Sequence, residues 1–225
     1  MAEQGLQVRR RALPRGGARN RADRQSWQLA EHHCRNLISA AGTAWAAGTP
    51  FNRFATFAFG KSGIDARECV AATGDWIKLA RDWFASHGLP MPWAWVQEWG
   101  PVNSAHCHIL FYVPPSLAPL FRSRPKLWAH MIIAKRGGCY AAGTTDCQKI
   151  RCSDHPDLYP DAYRAALAFK VHYMLKCAPA ELEAVLGMTA RGPEPWGQSC
   201  PVYGKRLGVW QGWQNWSDDG RDWLD

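Results

Sequence analysis

The sequence predicts an α+β domain built on a central antiparallel sheet with flanking helices. Three observations carry that prediction. Helical stripes and short apolar strands are intermixed along the chain, with no repeated βαβ units. Two extended runs, residues 93–99 and 104–113, are separated by the connector Gly100-Pro101-Val102-Asn103, which fits a hairpin. The second run alternates sharply, with Cys107, Ile109, Phe111 and Val113 on one face and His106 and His108 on the other.

The elements follow in order. Residues 1–25 carry seven arginines, Arg9, Arg10 and Arg11 among them, against Glu3 and Asp23. With almost no large apolar residue, they read as a basic disordered tail, either a solvated leader or a sequence-blind phosphate-binding arm. Ser26 looks like the cap of a helix to about residue 47, with Trp27, Ala30, Cys34, Leu37, Ile38 and Ala41 at helical spacing. Residues 54–59 read as a short apolar strand and 60–63 as a turn. Asp65 is a candidate cap for a second helix with the core stripe Cys69, Thr73, Trp76, Ile77, Ala80, Trp83 and Phe84. The hairpin comes next, ended by Pro114-Pro115. A helical region with Leu120, Leu127, Trp128, Met131 and Ile132 follows, interrupted at Pro125. Residues 147–152 form a candidate strand, Asp161 caps a strong helix to about Cys177, and residues 179–186 suit a short helix. The remainder is rich in Gly, Pro and Trp.

Composition bounds the function. A chain of 225 residues, 47% hydrophobic, suits one domain with appendages. A net charge of +8 favours nucleic acid or another polyanion as partner. None of the eight cysteines lies in a Cys-x-x-Cys pair. The first 25 residues lack the apolar core of a signal peptide, so reduced thiols in the cytoplasm are expected. No run of about 20 apolar residues exists, and no membrane span is expected.

The chemistry starts with His106 and His108, two imidazoles held side by side on the face opposite the apolar one, read here as the wetter face. A strand that presents such a pair suits a divalent metal. Glu98, eight residues earlier on the neighbouring strand, falls close to them across the hairpin. Gln97 is the competing donor, and the alternation there leaves the choice open. Further along, Lys170, Tyr173 and Lys176 recur at three-residue spacing. A tyrosine flanked by two ammonium groups is suited to attack a phosphate, because the lysines attract the polyanion and favour phenolate. The alternative is a tyrosine edging the core with solvated lysines.

Together these residues resemble the HUH endonucleases, in particular the rolling-circle replication initiators of plasmids and single-stranded DNA phages. Phe54-Ala55-Thr56 is similar to the first motif, His106-Cys107-His108 to the second and Tyr173-Met174-Leu175-Lys176 to the third, in the family's order. Glu98-Trp99-Gly100 resembles the stretch whose acidic residue completes the metal site, and Gly204-Lys205-Arg206 a recurrent basic element. The resemblance implies an HUH/RRM-like palm over residues 26–206, followed by a Trp-rich extension over 207–225. It implies that His106, His108 and Glu98 hold Mg²⁺ or Mn²⁺, and that Tyr173 nicks one DNA strand by forming a 5′-phosphotyrosine. Lys176 would position the phosphate or a metal-bound water. Lys170, Lys205, Arg206 and the tail residues Arg9, Arg10 and Arg11 are the expected DNA contacts. The implied partners are single-stranded or hairpin DNA at an origin, with a host helicase and polymerase. The same chemistry suits a single-tyrosine transposase. A non-catalytic nucleic-acid-binding protein on this scaffold is the reading of a different class.

Other motifs fail. Gly60-Lys61-Ser62 ends like a phosphate-binding loop, but Ala55 stands where that loop needs glycine. Tyr163 lies ten residues before Tyr173, nearly three helical turns away, and is a weak second nucleophile. The tryptophans at 196, 210, 213, 216 and 223 either stack on bases or cover the core.

Overall fold

A computed structural model of the chain describes residues 23–189 and 195–211, and in it five strands form one antiparallel sheet. From edge to edge these are β5 (Thr145–Lys149), β2 (Arg53–Phe57), β4 (Ser104–Phe111), β3 (Trp93–Gly100) and β7 (Leu207–Val209). The expected hairpin is the centre of the sheet, with β3 and β4 paired over their full length. Two residues at each end of the domain, β1 (Gln25–Ser26) and β6 (Val202–Tyr203), form a separate antiparallel pair.

Helices cover both faces. Ala55, Phe57, Trp95, Cys107, Ile109 and Phe111 point to one side and pack with α2 (Cys69–Ser86), α3 (Ala118–Phe121) and α4 (Arg124–Lys135). Phe54, Ala94, Val96 and Leu110 point to the other and pack with α1 (Glu31–Ala46) and α5 (Pro160–Met174). A short α6 (Glu181–Val185) follows. Double coverage explains why the central strands are apolar on both faces. It also uses the aromatic excess. Trp76 is fully buried, with ring centroids of Phe57, Phe111 and Trp128 at 4.7, 5.6 and 5.7 Å. Trp196 and Trp210 pack on the α1/α5 side of the core. Trp213, Trp216 and Trp223 lie outside the described residues.

The α+β class with its flanked antiparallel sheet holds, and several boundaries move. Ser26 does not cap a helix. Its Oγ and its carbonyl each accept a bond of 3.0 Å from Arg206, which draws Ser26 into β1. The helix begins at Glu31 instead, where Nδ1 of His33 accepts the Ala30 N–H at 3.1 Å. The apolar run 54–59 splits: β2 ends at Phe57, and Phe59–Ser62 is a 3-10 turn. Asp65 starts the turn before α2 and accepts the Arg67 N–H, so the helix opens at Cys69. The edge strand is Thr145–Lys149, because Ile150 leaves the ladder to bond the Asn52 carbonyl. Pro160 is the first residue of α5, which puts Asp161 in its first turn. The helix stops at Met174, and Lys176 stands in the turn beyond it. Residues 207–209, assigned above to the extension, are an edge strand of the sheet. Among the described residues no helix is long and apolar enough to cross a membrane.

Asn52 extends the β2–β4 pairing with its side chain. Its Nδ2 donates to the Val113 carbonyl and its Oδ1 accepts the Val113 N–H, both at 2.8 Å. Asn52→Ala strands both buried groups, and the expected loss is about 2–4 kcal/mol. A lower urea midpoint at unchanged slope checks it.

Candidate metal centre

In the β3–β4 register Glu98 faces His106 directly, and His108 is two residues on, so all three share the α1/α5 face. Gln97 points the other way, where its Oε1 accepts the Thr73 hydroxyl at 3.2 Å. The alternation left open by the sequence is settled in favour of Glu98. The face is not wet. Glu98, His106 and His108 are only 1%, 5% and 2% exposed, because α5 and the turn after it lie over them.

The three side chains converge. Glu98 Oε2 is 3.5 Å from Nε2 of His106 and 3.5 Å from Nε2 of His108. One ligand atom from each lies within 4.8 Å of the others, so this buried group can hold a metal ion. Two ligands bound at about 2.1 Å by one cation stand roughly 3.0–3.4 Å apart, close to the separation found. Among the described residues His108 Nε2 and Glu98 Oε1 are buried without a hydrogen-bond partner. Such orphaned atoms cost stability unless something coordinates them.

The outer nitrogens are engaged, which turns the inner ones toward the cluster. His106 Nδ1 donates to the Ser104 carbonyl at 2.8 Å, so its Nε2 carries the lone pair. Ser104 adopts φ 52°, a left-handed conformation rare for a non-glycine residue, and its carbonyl holds His106. Gly60 permits the crowding there, since a Cβ on it would lie 2.8 Å from the Ala105 nitrogen. His108 Nδ1 bonds the Thr56 hydroxyl at 2.9 Å, and Phe54 stacks on the same ring. Phe54-Ala55-Thr56 stands out in the sequence as a motif without showing this role. The signal was there, because Thr56 and His108 are direct partners once β2 is paired with β4.

Lys176 completes the site. Its Nζ is 2.6 Å from Glu98 Oε2 and lies 3.6 Å from the centroid of the Tyr173 ring. Burial disfavours the Glu98 carboxylate, but His108, His106 and Lys176 outweigh it and hold the carboxyl well below its usual range. Burial pushes His108 down against the pull of Glu98, toward the neutral imidazole that coordinates metals. Burial also opposes the Lys176 ammonium, yet the Glu98 carboxylate more than offsets it and raises its pKa. The one carboxylate is therefore already neutralised by an ammonium. A divalent cation here keeps a net positive charge, which favours an anionic oxygen such as that of a phosphate.

Tyr173 belongs to this cluster. Its ring meets His108 edge-on at 5.0 Å between centroids and Phe54 at 6.2 Å. Lys170, half-buried on the same helix, lies 4.6 Å over the Phe54 ring. Its pKa is lowered by burial against the pull of Asp146. The other expected residues are not brought together. Lys205 lies 5.8 Å over Trp95, a side chain of the opposite face. Arg206 is 2% exposed and bonds Ser26 and the Cys200 carbonyl. It ties β1 to the segment before β6 and is not available as a DNA contact. Tyr163 is fully buried, donates its hydroxyl to the Phe51 carbonyl, and is pushed far up by burial. Arg9, Arg10 and Arg11 lie outside the described residues.

Comparison with family models, with curated proteins and with solved structures returns no match. Function is therefore read from the chemistry of the site. His108→Ala is expected to abolish Mn²⁺ binding by calorimetry while the far-ultraviolet dichroism stays unchanged. Thr56→Val keeps the ligands, loses the bond that orients His108, and is expected to weaken Mn²⁺ about 10–100-fold, with Thr56→Ser recovering most of it.

Proposed function

We propose that the protein is a metal-dependent HUH-type endonuclease and strand transferase. It cuts one strand of single-stranded or hairpin DNA at an origin and starts rolling-circle replication of a plasmid or phage in the cytoplasm. The observation that carries this reading is the proximity of the Tyr173 ring to His108, on the sheet face that bears Glu98, His106 and Lys176. The motif order and the antiparallel sheet with histidines on a central strand agree with an HUH/RRM-like palm.

Glu98, His106 and His108 would hold the cation, and two imidazoles with one carboxylate would leave positions open for substrate. Bound there, Mg²⁺ or Mn²⁺ would supply Lewis-acid polarisation of the scissile phosphate. The Tyr173 phenol oxygen attacks phosphorus in line. A tyrosyl ester to the 5′ phosphate forms, the bond to the 3′ oxygen breaks, and that oxygen leaves as a hydroxyl. The ester conserves the bond energy, so the same residues rejoin ends without nucleotide hydrolysis. Lys176, beside the phenol ring, offsets negative charge developing on the tyrosine oxygen and phosphate. Its first partner is Glu98, so it acts at the junction of metal ligand and nucleophile. Tyr163 is spent on the Phe51 carbonyl, which leaves Tyr173 as the one tyrosine of α5 for the chemistry. Strand separation and synthesis belong to a host helicase and polymerase.

The test uses a pool of hairpin oligonucleotides labelled at the 3′ end, incubated with full-length protein and Mn²⁺. Label stable to denaturing gel electrophoresis should appear on the wild type. It should vanish in Tyr173→Phe and with chelator, while filter binding of the pool persists. Binding without any adduct in the wild type sinks the nuclease reading in favour of a binding module. An adduct that survives Tyr173→Phe assigns the wrong nucleophile.

A further inference from the structure

Two buried thiols stand directly behind the Glu98–Lys176 pair. Cys177 follows Lys176 in the turn after α5, and Cys200 lies just before β6. Their Sγ atoms are 3.5 Å apart. The backbone holds these segments side by side, because Gly197 N–H bonds the Ala178 carbonyl at 2.7 Å and Gln198 N–H bonds the Lys176 carbonyl at 3.1 Å. Disulfide closure needs sulfurs about 2.05 Å apart, so the pair is short of it by roughly 1.5 Å.

The two sulfurs are not equivalent. The two Sγ atoms share a hydrogen bond in which either can donate, but only Cys200 also has the Trp99 backbone N–H directed at it and both Nη atoms of Arg206 3.7 Å away. The Cys177 hydrogen bond, then Trp99 and Arg206, hold Cys200 below the usual thiol range against burial, while Cys177 is pushed up. Elsewhere burial pushes Cys34, Cys69 and Cys107 each up to about 12. Low-pKa thiols beside cations are the reactive ones. Cys177 and Cys200 are also core residues, 2% and 6% exposed, and what sets them apart is that their sulfurs are paired and lie beside a guanidinium.

We propose that Cys177 and Cys200 are a redox-active dithiol, closed to a cystine by low-molecular-weight disulfides, and that closure weakens the adjacent metal centre. The Cys200 thiolate attacks one sulfur of the small disulfide and expels a first thiolate, leaving a mixed disulfide. Cys177 loses its proton and attacks the Cys200 sulfur, which expels the second. The protein loses two electrons and two protons, and the small disulfide becomes two thiols.

The coupling to the metal centre follows from connectivity. Lys176, one residue before Cys177, holds Glu98 Oε2 at 2.6 Å, and Trp99, one residue after Glu98, bonds Cys200. Drawing the sulfurs together shifts the turn carrying the ammonium or the strand end carrying the carboxylate. Misplacement on the scale of an ångström is costly in a pre-organised site. This half rests on the metal-binding part of the proposed function and not on DNA cleavage.

The test exposes folded, full-length protein to oxidised glutathione, blocks remaining thiols with N-ethylmaleimide and maps peptides by mass spectrometry. The expected product is a Cys177–Cys200 cross-linked peptide, lighter by about two mass units than the reduced pair. Mn²⁺ affinity should fall at least about tenfold and return with dithiothreitol. Cys177→Ser and Cys200→Ser should bind Mn²⁺ like the reduced wild type and ignore glutathione. Absence of that cross-link, or a cross-link with unchanged Mn²⁺ affinity, overturns the proposal. A reduced wild type that binds Mn²⁺ but forms no DNA adduct overturns the nuclease reading and leaves this one standing.

Discussion

The buried ion pair between Glu98 and Lys176 organises the functional side of this molecule. It joins the central hairpin to the turn after α5, and it does so where the histidines and glutamate interrupt an apolar face. Taking both charges out of water costs several kcal/mol each, roughly, so the pair holds only with close geometry. The 2.6 Å contact supplies that geometry. With His108 and His106 the same contact keeps the carboxylate ionised, it sets the ammonium over the tyrosine ring, and it takes the oxygen nearer the histidines, Oε2, while Oε1 stays without a hydrogen-bond partner. Helix end, nucleophile candidate and metal ligands are thereby held as one unit.

The sheet divides its two faces by function. On the α2/α4 side, side chains interlock as an aromatic core, and two polar residues there, Gln97 and Thr73, bond each other. On the α1/α5 side the core gives way at one end of the hairpin to the histidines and glutamate, with Thr56 and Ser104 holding the outer ring nitrogens. A cluster supported this way has little freedom to reorganise, as a coordination site requires. The left-handed Ser104 and the close approach of Gly60 show backbone shaped around it.

Charge decides what such a site favours. One carboxylate matched by one ammonium leaves a bound divalent cation in net excess, so an anionic oxygen is the natural further ligand. The cysteine pair sits behind this balance and not apart from it, since Cys177 adjoins the ammonium and Cys200 bonds the residue after the carboxylate. Redox state and metal affinity would then be linked through two backbone segments that already run side by side.

Much of this was legible in the linear pattern. A period of two put both histidines on one face, the hairpin connector brought Glu98 and its rival Gln97 near them, and helical spacing identified the α2 stripe, of which only Trp83 is not buried. These are local regularities, and local sterics enforce them. What the pattern could not carry are contacts between distant segments. Ser26 reads as a helix cap until Arg206, 180 residues away, draws it into a strand pair. Arg206 reads as a DNA contact until burial uses its guanidinium internally. Lys176 reads as a free cation on a helix until the helix stops short and the ammonium finds Glu98. The residues and their alternation determined which chemistry was available. Which donor meets which acceptor was decided only by tertiary packing, because a buried polar group must find its partner wherever the fold brings one.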